Sequence, residues 1–142
     1  MRRLIAAGLD ADHANERGDT PLTIACSKGD LGLARLLVAK GAKPEARGRR
    51  ADTPLLRAAR FRRLEVARYL LDDLHVPVDA PNRFGDTALI EAARTGNAPM
   101  IDVLLGAGAS VAHANTRGMT AFLEAADSGR LSAMKALHAR GA

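Results

Sequence analysis

Residue types able to do chemistry are few in this chain and poorly spaced for it. Four histidines, His13, His75, His113 and His138, fall at loops and helix ends, and none stands at a spacing that pairs it with a nucleophile. His13 and His113 take nearly equivalent places in two loops that lie several structural units apart, too far to share a metal ion. The single cysteine, Cys26, has no partner for an internal disulfide or a zinc site. It reads as a small buried core residue in a chain kept in a reducing, cytoplasmic setting. A phosphate-cradling Gly-x-x-x-x-Gly-Lys-Ser loop is absent. The expectation is therefore a chain with no catalytic residue, no metal and no cofactor.

What remains is the chemistry of charge. Between Arg47 and Arg68, eight arginines stand against Asp52 and Glu65, a local +6 in a chain whose total is +5. Arginine forks pair bidentately with carboxylates and phosphates, so the simplest complement is an acidic protein surface. An isoelectric point near 10.1 raises nucleic acid as an alternative. Only Phe61 and Tyr69 lie near the cluster as stacking platforms for bases, which makes that alternative the lesser one.

These residues are positioned by a repeat. Gly18-Asp19-Thr20-Pro21-Leu22 returns as Ala51-Asp52-Thr53-Pro54-Leu55, as Gly85-Asp86-Thr87-Ala88-Leu89 and as Gly118-Met119-Thr120-Ala121-Phe122. Its threonines step by 33, 34 and 33 residues. A second marker, Leu4, Leu37, Leu70, Leu104 and Leu137, keeps the same register. A third, Gly8, Gly41, Gly108 and Gly141, does so too, with Leu74 near its missing place. Each unit reads as two short helices. Thr20 caps the first with Pro21 at its first position, and Gly29 ends it in a left-handed conformation. Asp30 caps the second, whose Leu33, Leu36 and Leu37 share a face until Gly41. Helices this short are marginal alone, so stacking must hold them. With 47% apolar but only 3% aromatic residues, Ala pairs such as Ala58-Ala59 suit close helix approach. No stretch approaches 18 apolar residues, which argues against a membrane span.

The period, the Thr-Pro-Leu, the Ala pair, the glycine before the second helix and the Leu-Leu-x-x-Gly-Ala ending together resemble the ankyrin repeat. The resemblance implies an all-α solenoid of stacked antiparallel helix pairs with short β-hairpin-like finger loops. Its units would be 15–47, 48–81, 82–114 and 115–142, after a partial unit at 1–14. By register Met1 falls within a second helix whose first helix is absent, the pattern of a segment from a longer array or, as the competing expectation, of a short natural protein with a degenerate cap. The one-residue insertion of the second unit is expected to bulge from the loop at Leu74-His75-Val76-Pro77-Val78. Pro99 stands as an irregularity inside a second helix. Arg62 replaces the glycine before the second helix, and left-handed backbone there would cost roughly 1–2 kcal/mol.

Ankyrin repeats imply protein binding through finger tips and the exposed side of first helices. Carried over by register, the binding positions are Arg17, Asp19 and Lys28; Arg49, Arg50, Asp52, Arg60 and Phe61; Arg83, Phe84, Asp86 and Arg94; and Arg117 and Met119. Phe84 and Met119 are the expected apolar anchors, with arginines supplying charge. In the same register Arg57, Glu91 and Glu124 form a ladder, with Arg57 expected to reach Glu91 in a partly exposed pair worth less than ~1 kcal/mol. The protein is expected to be a monomer binding another protein, possessing an acidic surface. The competing readings are a nucleic-acid module and a structural or engineered array with no ligand on this segment.

Overall fold

The structure, a computed structural model, describes residues 11–141. Most of the partial unit expected at 1–14, with Leu4 and Gly8, lies outside the described residues. Among the described residues, eight α-helices follow in pairs: α1 (Pro21–Lys28) and α2 (Leu31–Ala39), α3 (Pro54–Arg60) and α4 (Leu64–Arg68), α5 (Ala88–Thr95) and α6 (Ala98–Gly106), α7 (Ala121–Asp127) and α8 (Leu131–Ala139). First helices stack on first helices, and second on second, along the whole series. The array is thus an all-α solenoid. Four short fingers, 15–19, 48–52, 82–86 and 115–119, precede the first helices as hydrogen-bonded turns, with no strand among the described residues.

Every first helix starts the same way. Thr20, Thr53, Thr87 and Thr120 each accept from the backbone N–H three residues on, at 3.2–3.4 Å. The small pairs Ala25-Cys26, Ala58-Ala59 and Ala92-Ala93 are wholly buried, as close packing between first helices requires. Leu37, Leu70, Leu104 and Leu137 are buried on the second helices. Burial pushes the Cys26 thiol up to about 12, which keeps it protonated and unreactive.

Two irregularities resolve differently from the sequence expectation. The extra residue of the second unit is absorbed within the second helix and not by a loop bulge. After α4 the backbone widens into a π-helical turn, Tyr69–Asp73, where the Leu74 N–H donates to the Tyr69 carbonyl at 3.3 Å. His75, left-handed at φ 52°, then takes the place held by Gly41 and Gly108. Pro99 sits in the first turn of α6, where no backbone donor is needed, so it disturbs nothing. Arg62 does adopt the left-handed backbone, at φ 63°.

The neighbouring repeat explains why Arg62 is tolerated. At Gly29 and Gly96 a β-carbon would meet the Arg63 and Arg130 side chains at 2.8 and 2.9 Å. Those arginines lie across the preceding unit and donate to its helix-end carbonyls, Ser27 O and Arg94 O. The residue in that register next to Arg62 is Asn97, which instead caps α6 through Met100. With no arginine laid over it, position 62 has room for a side chain, and Arg62 itself donates to Thr95 O at 2.8 Å.

Candidate functional site

The fingers are built around asparagine. The Oδ1 atoms of Asn15, Asn82 and Asn115 each accept two backbone N–H groups of their own finger at 2.9–3.1 Å. The Nδ2 group of Asn82 reaches back to Asp52, and that of Asn115 to Asp86, both at 2.9 Å. Sequence reasoning missed these residues, although their shared register was the available signal.

Finger 2 has Gly48 where the others have asparagine. Its tip, Arg49–Ala51, is a 3₁₀ turn with both Arg50 and Ala51 left-handed, at φ 65° and 59°. Each such residue costs roughly 1–2 kcal/mol. Adjacent fingers are joined by backbone bonds, Arg83 N–H to Arg50 O at 2.9 Å and Thr116 N–H to Phe84 O at 3.0 Å.

Beneath the tips runs a continuous ion ladder. Arg57 pairs with Asp19 and, through Nε at 3.2 Å, with Asp52. Arg60 forks onto Asp52 at 2.6 and 3.1 Å and reaches Glu91 at 3.1 Å. Arg94 holds Glu91 at 3.1 Å, Asp86 at 3.3 Å and Glu124 at 3.0 Å, and Arg117 closes the series on Glu124 at 2.5 Å. Five carboxylates thus meet four guanidiniums across all four units.

The carboxylates are buried, with Asp52 at 0% and Glu91 and Glu124 at 2% exposure. Burial works to raise the Asp52 carboxyl, but hydrogen bonds from Arg60 and Asn82 and the charges of Arg60 and Arg57 outweigh it and hold it below the ordinary range. The hydrogen bond from Arg94 is the chief reason Glu124 is lowered too. Burial disfavours the charged forms of Arg60 and Arg94, yet their carboxylate partners raise both above the usual arginine value.

This geometry corrects several expectations. Arg57 turns back toward Asp19 and Asp52, and it is Arg60, one helical turn further on, that meets Glu91. The ladder's carboxylates are buried, where a partly exposed pair was expected. Asp19, Asp52 and Asp86 lie at the finger bases with side chains turned inward, away from any surface contact. Arg60 and Arg94, at 19% and 30% side-chain exposure, are committed to the same ladder.

The other expected positions lie nearer solvent. Arg17, Lys28, Arg49, Phe61, Arg83, Phe84 and Arg117 are exposed, and Arg50 and Met119 are half-exposed. Phe84 carries the Arg50 guanidinium over its ring, 4.7 Å from the centroid. Arg117 donates into the ladder from the surface. The histidines stay apart: His113 Nε2 lies 2.9 Å from Gly85 O, and no group of residues able to hold a metal occurs among the described residues. No helix among them is long and apolar enough to cross a membrane.

A family model described as ankyrin repeats (3 copies) matches residues 1–80 and again 74–142. A search of curated proteins gave no match.

Proposed function

The chain belongs to the ankyrin-repeat family, a non-catalytic scaffold fold whose members generally bind other proteins, and from that premise we propose that it binds an acidic partner protein through its finger tips. The observation that carries this reading is the division of the arginines. Arg57, Arg60 and Arg94 are neutralised by buried carboxylates, whereas Arg17, Arg49 and Arg83 stand exposed with no ion pair among the described residues.

Arginines free of carboxylate partners thus stand at the tips, around the exposed ring of Phe84. An aromatic residue among arginines is the composition of an interface hot spot. Met119 on finger 4 and Lys28 and Phe61 at the ends of first helices extend the contact. The stacked fingers are hydrogen-bonded to one another before any partner arrives, which lowers the ordering cost of association. The same reading has the protein act as a cytoplasmic monomer, where the buried Cys26 thiol stays reduced.

Affinity capture from lysate of the source organism tests it, using the native chain beside an Arg49→Glu/Arg83→Glu variant with an unchanged melting curve. An acidic protein held by the native chain and lost from the variant is the expected result. Equal retention by both would move recognition away from the tips.

A further inference from the structure

We propose that the tips of fingers 2 and 3 form a receptor for a phosphorylated side chain of the partner protein, an inference that rests on the reading of the tips as a protein-binding surface. Three arginines belong to these two adjacent tips, Arg49 and Arg50 to one and Arg83 to the other. The backbone bond from Arg83 N–H to Arg50 O fixes the two tips side by side at 2.9 Å. None of the three forms an ion pair among the described residues, although two carboxylates belong to these same fingers. Asp52 and Asp86 are drawn inward by Arg60 and Arg94 and by the asparagines of the following fingers. The ladder thus strips the tips of their own counter-charges and leaves +3 unanswered.

Arg50 is held for such a role. Its left-handed backbone lays the side chain on Phe84, and its Nε is buried without a hydrogen-bond acceptor. A buried donor without an acceptor is costly, and a ligand oxygen that reaches it removes that cost. A single carboxylate satisfies one arginine fork and leaves the other two repelling each other. A phosphoryl group brings about −1.5 to −2 charge and three strong acceptor oxygens to one point, enough to engage all three. Phe84 offers the apolar surface on which the residue next to the phosphate rests.

The test uses the full chain and three degenerate peptide libraries that differ only in a central phosphoserine, glutamate or serine, read by fluorescence anisotropy. The phosphoserine library is expected to bind at least ten-fold more tightly than either other library, and inorganic phosphate is expected to compete. Arg50→Lys, which keeps charge but loses the fork, and Arg83→Ala, at an exposed position, are each expected to weaken binding at least ten-fold without shifting the melting curve. Equal binding of the glutamate and phosphoserine libraries would overturn the phosphoryl inference and leave the acidic-partner reading standing. Equal binding of all three libraries, or of none, would overturn it as well. The lysate capture by Arg49→Glu/Arg83→Glu decides the parent reading independently.

Discussion

Repeats 2 and 3 share a fold and differ in how they keep it. Repeat 3 has Asn82 organising its finger, Gly85 at the tip and Gly96 before its second helix, so each demanding backbone position carries the residue suited to it. Repeat 2 has Gly48, Ala51 and Arg62 in those places and a π-helical turn after α4. Yet it is not the loosely held unit. Arg57 and Arg60 both come from repeat 2 and tie repeat 1 to repeat 3 through Asp19, Asp52 and Glu91. Strained backbone at the tip and at Arg62 stands above a buried ionic brace, and the tip arginines are left free of the carboxylates. Local sequence rules are broken where the surface is most basic, a pattern expected of functional sites.

The brace should be the part that breaks most severely. Asp52→Ala leaves Arg57 and Arg60 facing a void at the centre of the ladder, and urea unfolding should show a loss of about 3–5 kcal/mol. A loss under 1 kcal/mol would make the ladder incidental. Gly96→Ala should cost about 1–3 kcal/mol, because φ is 73° and the new β-carbon meets the Arg130 side chain at 2.9 Å. In contrast, Arg62→Gly should stabilise by about 1 kcal/mol, since it removes a left-handed non-glycine and sacrifices only an exposed bond to Thr95.

Acid should separate the two kinds of charge. Asp52 and Glu124 are held below their ordinary values of 3.8 and 4.5, so the folded state binds these protons less readily than the unfolded chain. Their stabilisation is complete above those values and is lost as pH falls through the lower folded ones. Thermal melts should be flat from neutral pH down to about pH 5 and fall steeply below about pH 4. Asp52→Asn should shallow that fall.

Much of the architecture was legible because it depends on local residue type at a fixed spacing. Thr20, Thr53, Thr87 and Thr120 cap helices wherever they stand before an apolar run, and the leucine register survives the one inserted residue. The site was less legible, because pairing across stacked helices depends on side-chain direction. Register alone put Arg57 opposite Glu91, but Arg57 turns toward its own finger base and Arg60 makes the contact. Asp19, Asp52 and Asp86 look like tip residues in the chain, and only the folded finger shows them turned inward. The insertion was visible at Leu74 and His75, while its absorption as a π-helical turn depends on hydrogen bonding that sequence does not display.

The contrast at issue is between the ladder arginines, which brace the fold, and the tip arginines Arg49, Arg50 and Arg83, which form no ion pair among the described residues. Urea denaturation of Arg60→Ala and Arg83→Ala, measured side by side, tests it most directly. Arg60→Ala should lose at least about 2–3 kcal/mol by taking one guanidinium partner from each of the buried carboxylates Asp52 and Glu91, while Arg83→Ala should stay within about 0.5 kcal/mol of the native chain. Equal losses from the two variants would contradict the division.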